Sequence, residues 1–348
     1  MAESLTQNFN HLKIHTQYSI CEGAIKIDDL QEYSKSNRIK SLGLCDTSNL
    51  CGALEFAEKI SKSGTQPIIG TQINFKIHDT IGLLPLYALN ETGYKNIIDI
   101  SSASYLKNNQ ISDPHVSFDY LLNNSEGIAL FSGTVFGLFG KLFEKGKFTE
   151  IQDLYTKIKS IFGDRFYLEI QRHKDKNENG FEKFNLKRSS DLQIPIIATN
   201  EVYYLNQDMH EAHDALICIG NKTYINEKNR LKFSDQHYLK NNDEMSELFA
   251  DLPEALENNY NFPLRCNFRP LFSNPILPNI SQDKGGDADD FLRKDSLDGL
   301  KTKFEKVFKI QTSDIETNKN YLLIFEVLVH QQCIVLNFEV LRDQKVSF

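Results

Sequence analysis

A chain of 348 residues with 40% hydrophobic and 11% aromatic content can bury one large core and has length left for a smaller second unit. Its 39 lysines and arginines are outnumbered by 47 aspartates and glutamates, giving a net charge of -8 that speaks against an autonomous duplex-DNA binder, which needs clustered cations to release phosphate counterions. The six cysteines form no C-x-x-C pair, which excludes a zinc-ribbon or dithiol motif and fits a reducing cytoplasm; no basic-then-apolar leader and no stretch near the ~20 apolar residues of a membrane span is present.

In chain order, buried strands are expected at 9–15, 41–45, 67–75, 83–89, 128–132, 166–170 and 194–198. Between them, apolar residues at three- and four-residue spacing predict helices at 27–36, 53–63, 94–106, 136–144, 149–161 and 182–192. This alternation predicts an α/β fold, a barrel or wound sheet that is largely parallel. Past residue 200 the pattern turns helical, with 209–219, 243–249 and 253–262, and the Pro/Asn/Asp-rich stretch 269–290 reads as a linker. Beyond it, 291–308 reads as an amphipathic helix and 321–340 as an apolar run without a turn plan. In such folds chemistry gathers on loops at the carboxyl ends of strands. That directs attention to 15–22, 46–49, Gln72, 132–134, 171–173 and 200–203.

The stretch His11-Leu12-Lys13-Ile14-His15-Thr16-Gln17-Tyr18-Ser19 resembles the opening of bacterial DNA polymerase III alpha subunits. The match recurs in order at Glu22-Gly23-Ala24, Leu44-Cys45-Asp46-Thr47-Ser48-Asn49, Pro67-Ile68-Ile69-Gly70, Asn90-Glu91-Thr92-Gly93-Tyr94 and Ala198-Thr199-Asn200-Glu201-Val202-Tyr203-Tyr204. It ends near Leu248-Phe249-Ala250-Asp251-Leu252-Pro253. The resemblance implies a PHP-type distorted β/α barrel over residues 1–268, the linker 269–290, and at 291–348 the start of a polymerase core, with a short, mainly helical C-terminal segment.

In active relatives the PHP site looks like a trinuclear metal phosphoesterase, whose closely spaced cations need many imidazole and carboxylate ligands. Carried onto this sequence, the H-x-H pair reads Lys13 and His15, and the D-H pair reads Asp46 and Thr47. Gln72 stands for a Glu, Leu83 for a His, Thr134 for a Cys, and the late D-x-H reads Glu201-Val202-Tyr203. Glu22 replaces an Asp. Only one imidazole, His15, survives with the carboxylates Glu22, Asp46 and Glu201, so a degraded site without a catalytic metal cluster is expected. His173 either lines the same mouth or is a surface-loop residue. Lys13 is expected to reach inward and pair with one or more of Glu22, Asp46 and Glu201. His210-Glu211-Ala212-His213 lacks the i, i+4 histidine spacing of a metalloprotease and reads as helix packing and surface.

The palm aspartates that hold two catalytic metals in this family have no counterpart after Asp290, so the chain reads as truncated, with no cofactor of its own. The resemblance implies a front portion of the replicative polymerase whose PHP domain is a scaffold. Its implied partners are the proofreading exonuclease and the rest of the holoenzyme, with DNA contacted through regions outside this sequence. The alternative is a metal-dependent phosphoesterase or 3'-5' exonuclease.

Overall fold

The computed structural model describes residues 9–106 and 113–274, with isolated positions between 290 and 306. Two compact units are present, Met1–Phe272 and Ser273–Phe348. Among the described residues the strands are β1 (Lys13–Ile14), β2 (Ser41–Thr47), β3 (Gln66–Ile77), β4 (Thr80–Ala88), β5 (Val116–Ser117), β6 (Ile128–Phe131), β7 (Phe166–Ile170), β8 (Ile196–Ala198) and β9 (Glu201–Val202). The helices are α1 (Ile27–Asn37), α2 (Ala53–Lys62), α3 (Glu91–Leu106), α4 (Phe118–Asn123), α5 (Leu138–Glu144), α6 (Phe148–Phe162), α7 (Glu178–Leu192), α8 (His210–Asn221), α9 (Asn242–Leu248) and α10 (Pro253–Asn261).

The strands form one sheet in the order β8-β7-β6-β4-β3-β2-β1-β9, with β5 added to β3. Its opposite edges, β8 and β9, are separated in sequence only by Thr199 and Asn200. At ~3.8 Å per residue, three chain steps hold those edges within ~11 Å of one another, so the sheet curls into a distorted β/α barrel. Both faces of the strands are buried, and the period-2 alternation sorts neighbours to opposite sides. Leu42, Leu44 and Ile69 pack outward with Ile27, Leu30, Phe56 and Ile60 of α1 and α2. Leu84, Leu86, Leu130 and Leu168 face Ile97, Leu142, Ile151 and Tyr155 of α3, α5 and α6. Their sequence neighbours Cys45, Ile68, Tyr87, Phe131 and Tyr167 fill the interior with Phe262 and Cys266, which follow α10. Gly70 is required here, because a Cβ would lie 2.5 Å from the Tyr87 ring that crosses the interior.

The sheet is largely parallel, as expected, with β4 alone running antiparallel to its neighbours β3 and β6. The cause is a two-residue turn, His78-Asp79, with His78 at φ 49°. The strand expected at 9–15 shrinks to β1, because the backbone N–H groups of Phe9 and Asn10 donate to the Asn242 and Asn259 side chains rather than to a neighbouring strand. Of the expected linker, 269–274 carry no regular structure and 275–289 lie outside the described residues. Within the expected helix 291–308, Phe291, Lys294, Asp295, Asp298, Gly299 and Thr302 are helical. The run 321–340 lies outside the described residues.

Candidate functional site

The carboxyl ends of the parallel strands open on a cavity of about 640 Å³, lined by Lys13, Glu22, Thr47, Gln72, Thr134, Glu201 and Tyr203, with Leu83 beside them. His15 and Asp46 do not line it, although both are fully buried next to residues that do.

Lys13 is 1% exposed, and its ammonium points into the barrel, 3.2 Å from Glu201 Oε1 and 3.7 Å from Glu169 Oε1. Burial pulls the Lys13 pKa down, but the two carboxylates outweigh it and the net displacement is upward. Burial likewise pushes the Glu201 carboxyl up, yet Lys13 and the His15 bond hold it well below the usual carboxylate range. The other expected partners are engaged elsewhere. Asp46 accepts from the Thr16 backbone N–H at 2.7 Å, the Thr16 hydroxyl at 2.8 Å and the Ser19 hydroxyl at 2.7 Å. Glu22 accepts from the Thr47 hydroxyl at 2.6 Å. Glu169 takes their place opposite Lys13, its Oε1 accepting from Thr199 Oγ1 at 2.5 Å and Gln171 Nε2 at 2.8 Å, while its Oε2 has no partner.

Tyr203 stands where an imidazole is expected and fills that space with a ring. It stacks on His15 at 4.5 Å and on His213 of α8 at 5.3 Å. His213 is thus buried behind Tyr203 as helix packing, its Nε2 2.9 Å from the Glu22 carbonyl. Ser19, His15 and Glu201 have the composition of a nucleophilic triad, with His15 3.4 Å from Ser19 Oγ and 3.2 Å from Glu201. The roles are wrong: Ser19 donates its proton to Asp46 and accepts from the Thr47 N–H at 3.0 Å. At 1% exposure, no substrate reaches it.

His173 is neither at the cavity nor on the surface. It is 1% exposed and accepts from the Glu201 N–H at 3.1 Å. Its ring stacks on His237, centroids 4.1 Å apart and planes 2° from parallel. With Asp175, this pair brings three ligand atoms within 4.8 Å of one another. The rings nevertheless cannot share an ion as they stand, because each lone pair lies in its own ring plane and the planes are parallel. His237 also faces two acceptors, the Glu201 carbonyl at 3.1 Å and Asp175 Oδ2 at 2.9 Å.

Sequence reasoning missed Glu169, Asp175 and His237. For Glu169 a signal existed: a carboxylate inside the otherwise apolar strand Phe166–Ile170 needs a buried counter-charge. Asp175 and His237 meet only through the fold, and their spacing gave no sign.

The PHP domain family profile matches residues 11–173. The DNA polymerase III subunit alpha of Caulobacter vibrioides is 34% identical over 318 residues, which is 88% of this chain and 27% of that protein. The Borreliella burgdorferi subunit is 34% identical over 334 residues, 92% of this chain and 29% of its own length. The chain therefore spans a little over a quarter of these curated relatives. Among solved structures, an amidohydrolase from Chromobacterium violaceum matches 56% of this chain and 87% of its own at a TM-score of 0.38 and 10% identity, a distance that carries no functional weight. The profile match, taken with about one-third identity across nearly nine-tenths of the chain, places it in the family of DNA polymerase III alpha subunits, as their PHP-bearing portion.

Proposed function

We propose that the chain supplies the PHP-bearing part of a replicative DNA polymerase in the cytoplasm, acting as a scaffold that holds the proofreading exonuclease rather than as a hydrolase. The observation that carries this reading is the Lys13 ammonium lodged between Glu169 and Glu201, where relatives with an active site place a metal-binding imidazole. The residues present do not suit a multinuclear centre. Thr47, Leu83 and Tyr203 offer no imidazole, Gln72 no carboxylate and Thr134 no thiol, and a protonated lysine repels any ion brought near the two glutamates. His15 and Asp46 are already committed to internal hydrogen bonds. Glu169 Oε2, a carboxylate oxygen buried without a hydrogen bond, would welcome a cation, and the ammonium 3.7 Å from Glu169 Oε1 supplies it.

Among the described residues no helix is long and apolar enough to cross a membrane. The expected result is that the purified chain co-elutes with the exonuclease subunit of the same genome at micromolar concentration in gel filtration. Separate elution of two demonstrably folded proteins would sink the scaffold reading.

A further inference from the structure

One rim of the cavity is apolar and unusually bare. Ile20, Ile219, Tyr224 and Ile225 are between 59% and 83% exposed, and Leu231, which lines the cavity, is 42% exposed. Ile20 and Ile219 are brought close, since a Cβ on Gly220 would lie 2.7 Å from Cys21 Cβ and the turn bearing Ile20 therefore abuts the end of α8; Tyr224 and Ile225 follow directly on that end, and Leu231 shares the cavity lining with Ile20. The segment that follows is held rigidly. Arg230 forms a two-pronged pair with Asp214 of α8 at 2.6 and 2.7 Å and donates to the Ile225 carbonyl at 3.0 Å. The Glu227 carboxylate accepts from the Tyr224 N–H at 2.9 Å. Apolar side chains displayed on a fixed backbone meet a partner without paying for loop ordering, and contiguous apolar patches of this kind mark interaction sites.

Charge defines the partner. Although the whole chain is acidic, residues 219–233 carry four cationic side chains against the single anion Glu227. Of these, Arg230 is paired with Asp214, while Lys222, Lys228 and Lys232 are exposed and in no ion pair among the described residues. Beside them the cavity mouth offers an apolar wall of Leu83, Phe136, Ile217 and Phe233. We infer that this mouth is a docking groove for a segment of a partner protein that inserts an apolar side chain into the cleft and sets carboxylates against Lys222, Lys228 and Lys232. The inference rests on the non-catalytic reading of the cleft. A protein segment fits better than single-stranded nucleic acid, because the patch is mainly aliphatic and bases need aromatic faces on which to stack.

The test is isothermal titration of the full chain with the exonuclease subunit of the same genome as the probe, and with a fluorescent single-stranded oligonucleotide in parallel. Ile219→Ser with Ile225→Ser is expected to weaken exonuclease binding about tenfold or more, as loss of central anchors does. Lys228→Glu with Lys232→Glu should weaken it too and reduce its salt dependence. Both pairs lie on the surface and should keep the parent melting temperature. Variants that bind the exonuclease as tightly as the parent overturn the groove and leave the scaffold reading standing. A parent chain that binds no exonuclease removes the scaffold reading and the groove with it. Charge reversal that abolishes oligonucleotide binding while sparing the exonuclease would give the surface to nucleic acid and overturn the proposal.

Discussion

Lys13→Met should lower the unfolding free energy by about 3–5 kcal/mol, the cost of leaving buried charges without their partner. Removing the ammonium strands Glu169 and Glu201 at the centre of the barrel, with Glu169 Oε2 already lacking a hydrogen bond. Methionine keeps the stem's apolar contacts, so the loss reports on charge rather than volume. Adding Glu169→Gln and Glu201→Gln should return much of the stability, since a neutral set of similar shape has no charge to desolvate. The ion pair also sets a pH window. The depressed Glu201 contributes fully above the ordinary carboxylate pKa and loses its contribution as pH falls through its folded value. The raised Lys13 contributes fully below the ordinary lysine pKa and loses its contribution as pH rises through its folded value. Urea denaturation of the single and triple variants measures this directly, and an unchanged midpoint for Lys13→Met would reject the internal counter-ion.

Mild acid should be the second large effect. Burial holds His11 down to about 4, partly offset by its bond to the Lys240 carbonyl, and burial holds His213 down to about 4 as well. His173 is lowered well below the ordinary value by burial and by the neighbouring His237. A histidine whose folded pKa is depressed stabilises the native state above its unfolded pKa and loses that contribution as pH falls towards the folded value. With an unfolded pKa near 6.5, His11 and His213 should each cost roughly 2 kcal/mol on going from pH 7.5 to 5. Glu178, pushed up by burial, works in the other direction. The denaturation midpoint should therefore fall steeply between pH 7 and 5, and His11→Gln, which can still donate to the Lys240 carbonyl, should flatten the slope. A midpoint that is level or rises over this interval contradicts the neutral buried histidines.

How much of this could be read from the sequence depended on whether the forces involved were local. β7 matches its expected bounds, because five mainly apolar residues between two helical patterns are too few for another helix and suit a buried strand. The β3–β4 hairpin was missed because His78-Asp79 lacks the glycine that usually marks a two-residue turn, and His78 takes the left-handed conformation instead. α7 begins at Glu178, four residues before its expected start, because the Glu178 carboxylate accepts from the His173 and Lys174 N–H groups and fixes the preceding turn. In the site, the inward reach of Lys13 followed from its position at a strand end. Its partners did not: the sequence offered Glu22, Asp46 and Glu201 as equals, and only the fold shows Thr47 and Thr16 satisfying the first two and β7 delivering Glu169.

The claim that a lysine has taken the place of metal in this cleft is tested most directly by metal content. The purified chain should be incubated with Mn²⁺, Zn²⁺ and Fe²⁺, passed through a desalting column and analysed by inductively coupled plasma mass spectrometry, beside Lys13→His and Glu201→Gln. No ion should be retained in stoichiometric amount by the parent, and none by Lys13→His, because Thr47, Gln72, Leu83 and Tyr203 remain. Retention of one or more equivalents by the parent, lost in Glu201→Gln, would contradict that claim.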